Sequence, residues 1–391
     1  MKSLDRFATE KLEELAGRRL RRTLVDTDRA EAPWTMRGGK RLLSFSCNDY
    51  LGLATHPDVK QAAIEAIRHH GAGAGASRLV TGNHPLLGRL EAKLASLKGT
   101  EDACIFGSGY LANAGIIPAL VGKGDLVVAD ALSHSCIWTG AKLSDAAVLR
   151  FRHNDMAQLE TLLETHRNRH THCLIATEGV FSMDGDLTPL PELSALARRF
   201  DAWLLTDDAH ALGVVGGGRG SAFAHGETVE VPLQMGTLSK AAGGYGAYLC
   251  ASKPVIELIK NRARTVVYTT GLPPASAAAA LAALDIIARQ PELATRVVGK
   301  ARRFCARAGL QEPASAIVPV IVGSAQAALD AAALLAEHGF LVVPIRPPTV
   351  PEGTARLRVA FTAAHPDAEI DRLADLIRER ILTPAPLRAA G

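Results

Sequence analysis

Between about residues 100 and 250, short continuous apolar runs alternate with stretches whose apolar residues recur at helical spacing. Six runs read as strands: Ala103–Phe106, Leu126–Ala129, Cys173–Thr177, Trp203–Thr206, Leu233–Met235 and Ala247–Cys250. Between them, Met156–Glu164 and Leu190–Phe200 are amphipathic helices. Strands that are apolar at consecutive positions are buried on both faces. The pattern therefore predicts an α/β fold, with a mostly parallel sheet covered by helices on both faces. In such sheets ligands bind beyond the carboxyl ends of the strands.

The flanks read differently. A charged helix from Leu4 to Arg22 leads into a turn-rich link, Ala32–Lys40. After Gln290-Pro291 come a helix, a strand at Ala316–Val322, a helix at Ala325–His338, and strands at Phe340–Pro344 and Ala355–Phe361. That α+β pattern predicts a smaller C-terminal domain. The expected division is an N-terminal helix and arm over 1–45, a large domain over 46–290 and a small domain over 291–391.

Composition narrows the function. A net charge of +4, from 44 basic and 40 acidic residues, is too balanced to point to nucleic acid or a membrane surface. The most apolar stretch, Ala275–Ala288, carries Ser276 and Asp285 and is too short to cross a bilayer. The N-terminus has no apolar signal segment. Six scattered cysteines show no metal-ligand spacing, which predicts free thiols, no metal and a cytoplasmic protein.

One pair of motifs carries chemistry. Met235-Gly-Thr-Leu-Ser-Lys240 sets a lysine between hydroxyl residues and the glycine-rich Ala241–Gly246, and Trp203–Thr206 ends in Asp207-Asp208-Ala209-His210. A lysine able to form a Schiff base, with an acid to keep a pyridine nitrogen protonated, is what pyridoxal 5'-phosphate (PLP) chemistry needs. Glycine patterns are then sorted by context. Gly71–Ala76 follows the helical segment Pro57–His70, so it fails as a dinucleotide site and reads as a loop. Phe106-Gly-Ser108-Gly109-Tyr110 follows a strand and opens a helix, where backbone amides favour a phosphate. Ser133-His134-Ser135 and Glu178–Asp186, with Ser182, also follow strands.

Ser46–Leu53, Glu178–Asp186, Asp207–His210, Thr237–Lys240 and Tyr268–Pro274 occur in that order. Together they resemble the α-oxoamine synthases, PLP enzymes of the aspartate-aminotransferase fold (fold type I). The resemblance covers about residues 15–380. It departs at Ala211, where glycine is frequent, and after Lys240, where an aromatic residue is common. It implies that Lys240 is the Schiff-base lysine and proton shuttle, Asp207 the pyridine partner, His210 the phenolic-oxygen partner and His134 the stacking ring. Ser108, the Gly109 and Tyr110 amides, and Thr237 would hold the phosphate. Ser182 would add a contact, and Thr270 would reach the phosphate of a partner subunit in a shared-site homodimer. Arg21, Asn48, His134, Arg346, Thr349 and Arg358 would face substrate. Arg346–Pro351 and the following Arg356-Leu-Arg358 are similar to the branch that condenses L-alanine with a pimeloyl thioester. The glycine-using branches, with acetyl or succinyl thioesters, are the alternative. Coenzyme A and an acyl-carrier protein both stay open as the acyl carrier.

Overall fold

The computed structural model describes residues 2–382 and contains two compact units. The larger comprises Asn48–Gly299 with Ala314–Ala316; the smaller comprises the chain up to Cys47, Lys300–Pro313 and the chain from Ile317 on.

A seven-stranded sheet organises the larger unit, in the order Asp102–Phe106, Ala247–Ala251, Leu233–Thr237, Trp203–Asp207, Cys173–Glu178, Leu126–Asp130, Ala147–Phe151. The last five run parallel. Ala247–Ala251 is antiparallel to both its neighbours, so Asp102–Phe106 points the same way as the five. Successive strand residues feed opposite faces. Val127, Ala129, Leu174 and Leu205 pack with Ile116, Ile117 and Ile137 from the helices Gly109–Leu120 and Ser135–Leu143. Leu126, Val128, Ile175 and Leu204 pack with Leu159, Leu163 and Leu193 from Met156–His166 and Leu190–Arg199. All six expected strands are present, each extended by one or two residues. Ala147–Phe151 escaped the sequence pattern because it is the sheet edge, where Ala147, Val148 and Arg150 are exposed.

In the smaller unit the segment read as a turn-rich link is a β-hairpin, Trp34–Arg37 against Lys40–Ser44. Gly38 and Gly39 take φ of 54° and 76°, the pair of positive values a two-residue hairpin turn requires. The N-terminal helix spans Ser3–Gly17, shorter than expected, and buries none of its residues. Lys40–Ser44 also pairs in parallel with Phe340–Leu341. The expected Phe340–Pro344 strand is split: Phe340–Leu341 joins the hairpin, and Pro344–Ile345 pairs with Ala355–Ala360. Ala355–Ala360 is itself flanked by Ile317–Gly323. Phe45 anchors an aromatic core, with Phe361 at 5.6 Å, Phe340 at 5.9 Å and the His365 ring stacked at 4.0 Å. No helix among the described residues is long and apolar enough to cross a membrane.

Candidate active site

The chemistry-bearing residues of the larger unit gather where the strands end. Glu178 and Asp207 are the last residues of adjacent strands and pair in register. Thr237 closes the next strand, and Lys240 follows three residues later. The turn between them is pinned by the Thr237 hydroxyl, which donates to the Gly246 carbonyl at 2.9 Å and accepts from the Ser239 amide at 3.2 Å. Gly243, three residues beyond Lys240, has φ 64°, and a Cβ there would lie 2.2 Å from the Ala54 amide nitrogen. Only glycine fits.

Asp207 is buried and accepts from the Asn113 side-chain amide at 2.7 Å and the Ala209 backbone amide at 2.9 Å. Burial raises its carboxyl above the ordinary aspartate value, and Lys240 is foremost among the groups that oppose the rise. An acid in this balance gains from a second nearby cation, which a protonated pyridine nitrogen would supply. His210 is buried beside it, its Nδ1 2.6 Å from the Tyr50 hydroxyl. Tyr50 in turn lies 3.2 Å from Asn48 Oδ1, so Asn48 joins this cluster through the tyrosine.

His134 caps the helix Ser135–Leu143, its Nδ1 accepting from the Cys136 amide at 3.3 Å and lying 2.9 Å from the Cys136 sulfur. Packing of this inner edge holds His134 below the usual histidine value; Asp207 opposes that shift and Lys240 adds to it. Glu178 is fully enclosed. Burial, then the charge of Asp207, push it up to about 8. Its Oε2 accepts from the Ser182 amide at 3.0 Å, while Oε1 has no hydrogen-bond partner among the described residues. Behind this edge His153 bridges Asp130 at 3.2 Å and Asp186 at 2.8 Å, tying the loop after Leu126–Asp130 to the loop carrying Ser182. Burial disfavours its charge, but the two carboxylates prevail and raise it to about 10.

Ser108 caps the helix Gly109–Leu120 by accepting from the Leu111 amide at 3.3 Å. The strand register Phe106–Ala247–Thr237 brings this helix start beside Thr237: a Cβ on Gly109 would lie 3.8 Å from the Thr237 Cβ. The first-turn amides of a helix and a hydroxyl make a phosphate cradle. The Tyr110 phenol points elsewhere, 2.8 Å from the Thr139 hydroxyl, so this residue can serve the cradle through its backbone alone. Thr270 is exposed and bridges Ser77, with the Gly271 amide donating to the Ala76 carbonyl at 2.9 Å. The glycine-rich 71–76 loop is thus fastened to the Tyr268–Pro274 segment.

The remaining candidates lie in the smaller unit. Arg356 and Arg358 sit two residues apart on the Ala355–Ala360 strand and are both buried. Arg346 donates to the Arg19 carbonyl. Arg22, not Arg21, donates to the Thr349 hydroxyl, at 3.1 Å; Arg21 is exposed. Sequence reasoning overlooked Glu178, Asn113, Tyr50 and Cys136 as site residues. A signal existed for Asn113, the lone amide side chain in an otherwise apolar helix. A lysine amine, a buried acid held by an amide, a histidine–tyrosine pair and an amide-lined helix start fit PLP at its aldehyde, ring nitrogen, phenolic oxygen and phosphate.

The sequence pattern of the family described as aminotransferase class I and II matches residues 40–377. An 8-amino-7-oxononanoate synthase from Beijerinckia indica is 59% identical, the match covering 99% of this chain and 100% of the relative. A serine palmitoyltransferase from S. paucimobilis, solved with a PLP–myriocin aldimine, superposes with a TM-score of 0.90 at 30% identity over 97% of this chain and 98% of that one. An 8-amino-7-oxononanoate synthase from Francisella tularensis has a TM-score of 0.75 at 26% identity, covering 87% of this chain and 98% of that one. The chain therefore belongs to the aminotransferase class I and II family, as a PLP-dependent enzyme of its α-oxoamine synthase branch.

Proposed function

We propose that the chain is an 8-amino-7-oxononanoate synthase of biotin biosynthesis. It would condense L-alanine with a pimeloyl thioester, releasing carbon dioxide and the free thiol of coenzyme A or an acyl-carrier protein. The observation that carries this reading is the 59% identity to a relative of that name over 99% of the chain. Serine palmitoyltransferase superposes more closely, at a TM-score of 0.90, but at 30% identity. A fold shared by a whole family does not report substrate, so the higher identity to the synthase is what supports this reading.

PLP, when bound, supplies a ring that accepts the electron pair left as the α-proton or the carboxylate departs. The chain's residues do the rest. Lys240 holds the aldehyde, then takes the α-proton of alanine and later returns one to the same carbon. Asp207, fixed by Asn113, keeps the pyridine nitrogen protonated. His210 and Tyr50 face the phenolic oxygen, Ser182 adds a contact, and His134 stacks on the ring. Ser108, the Gly109 and Tyr110 amides, and Thr237 bind the phosphate. Thr270 would serve the phosphate of the other subunit in a cytoplasmic homodimer. Arg358 is assigned to the alanine carboxylate, and Arg346, Thr349 and Arg21 to the acyl substrate, with Asn48 a further substrate-facing position. Fixing the carboxylate orients first the C–H and then the C–C bond for cleavage, so it controls the reaction as well as affinity.

The test is product formation by the purified, PLP-loaded protein given pimeloyl-CoA with L-alanine, glycine or L-serine. The reading expects 8-amino-7-oxononanoate from alanine and a much weaker absorbance response to glycine. Turnover of glycine with acetyl- or succinyl-CoA at a higher rate would replace it with a glycine-using synthase. Sedimentation of a fully active monomer would remove the shared-site dimer.

A further inference from the structure

We propose that Asn113 and Cys136 are positioning residues, forming a directed hydrogen-bond relay that ties the Asp207 carboxylate to the His134 imidazole and fixes His134 with its proton on Nε2. The contacts are continuous. Asn113 Nδ2 lies 2.7 Å from Asp207 Oδ2 and 3.2 Å from Cys136 Sγ, and Cys136 Sγ lies 2.9 Å from His134 Nδ1. Asn113 and Cys136 are almost wholly buried, so water does not substitute for either.

The direction of each bond follows from what its atoms can do. A carboxylate only accepts, so the Asn113 amide must turn its NH₂ group toward Asp207. Of the two hydrogens on that nitrogen, one goes to Asp207 and the other to the sulfur. The sulfur, having accepted, points its own hydrogen onward to His134 Nδ1. Burial pushes the Cys136 thiol up to about 12, so it remains a thiol and a donor near neutral pH. Nδ1 also accepts from the Cys136 backbone amide at 3.3 Å. A proton on Nδ1 would face two donors at once, which leaves Nε2 as the protonated nitrogen.

Three influences act on the charge of His134 alongside the relay's hydrogen bonds. Asp207 favours the cation, Lys240 disfavours it, and the loss of water around the inner edge disfavours it further. The His134 backbone amide faces Glu178 and slightly offsets the rise of that carboxyl. The relay adds a donor that stabilises the neutral ring. A neutral ring held flat at a known edge is the form that can stack on a pyridinium without placing two cations face to face.

This inference rests on the proposed reading only in naming the ring that His134 meets. Its test uses no substrate, so it can fail while the substrate reading stands, and the reverse. The measurement is nitrogen-15 NMR of the full-length, PLP-loaded protein labelled at histidine, titrated with pH. The wild type should show Nδ1 of His134 as an unprotonated acceptor and Nε2 as the protonated nitrogen. Cys136→Ala should move the His134 titration up by about 0.5–1 pH unit, on the order of three- to tenfold in acid constant, as expected for loss of one hydrogen bond to the neutral form. Cys136→Ser, which keeps a donor, should titrate as the wild type. Asn113→Leu touches no atom of His134 yet should still displace its Nδ1 resonance. Three results would overturn the relay: a wild type protonated on Nδ1, a Cys136→Ala protein titrating as the wild type, or Ala and Ser variants shifted alike. The first needs no variant to fold.

Discussion

Lys98→Met should cost the larger unit about 3–5 kcal/mol of stability, because it strands a buried carboxylate. Lys98 and Asp208 have fully buried side chains 2.6 Å apart, and the ammonium also donates to the Arg219 carbonyl at 2.7 Å. Two charge-assisted bonds at roughly 1.5–3 kcal/mol each sum to about 3–6 kcal/mol, which brackets the general figure for breaking a buried pair. Asp208 would keep the Ser221 hydroxyl at 2.5 Å and the Ser221 amide, but those donors carry no charge. Both side chains are shielded from solvent. A Cβ on Gly220, where φ is 109°, would sit 2.2 Å from Asp208 Oδ2 and 2.6 Å from Lys98 Nζ, so the backbone closes over the pair. Lys98→Met/Asp208→Asn should regain more than half of the loss, since the amide needs no counter-charge. Denaturant unfolding at saturating PLP would measure both variants. A loss under about 1 kcal/mol, or a double variant no more stable than the single, would refute the idea that an uncompensated charge is the cause.

Asp207→Asn should keep PLP but lose roughly 10²–10⁴-fold in turnover, the scale of a lost proton-holding group; near-normal turnover would overturn its role, since Asp208 is committed to Lys98. Lys240→Ala should bind PLP without a covalent link, and borohydride reduction of the wild type should label Lys240; a pyridoxyl group mapped to another lysine sinks the assignment. His153→Gln should cost stability most in acid and neutral solution. The folded value is raised to about 10, so the wild-type advantage is full below the unfolded value of about 6.5 and disappears as pH rises toward 10; an advantage that grew with pH would contradict the Asp130–His153–Asp186 bridge. Arg358→Ala should weaken the absorbance change caused by alanine, and Thr349→Ala should raise the Michaelis constant for the thioester. If Arg358→Ala binds alanine normally and fails with the thioester, the two assignments exchange.

The strands that carry the site were legible because each is apolar at consecutive positions, the signature of burial on two faces. The same criterion could not find Ala147–Phe151, which has one neighbour and an exposed side. The Trp34–Ser44 hairpin was hidden by its brevity and by Pro33, although Gly38-Gly39 is a hairpin signal in its own right. Candidate site residues that sit in short motifs with unusual side chains, Lys240 and Asp207 above all, stood out from their neighbours. Asn113 and Cys136 did not, because what makes them matter is a meeting of two helix starts with a strand end, and no local pattern encodes that.

Asp207 and Asp208 show how much the period of a strand decides. In the sequence they are two adjacent acids, and either could have been the pyridine partner. Successive side chains leave a strand on opposite faces, and the backbone keeps this sense at its end. Asp207 accordingly meets Asn113, while Asp208 meets Lys98 and Ser221. With Glu178 the ends of these two neighbouring strands hold three buried carboxyl groups, and they are served differently. Asp208 has its own lysine. Glu178, pushed up to about 8, is mostly protonated at neutral pH and needs no cation. At Asp207 burial disfavours the charged form, and Lys240, foremost among the groups that oppose the shift, only partly offsets it. A protonated pyridine nitrogen would supply a further cation. PLP should therefore stabilise the fold partly through Asp207 itself, and Asp207→Asn, although it still binds PLP, should lose a measurable part of the protection against denaturant that saturating PLP gives the wild type. Equal protection of the two proteins would show that the phosphate cradle and Lys240 account for the whole effect.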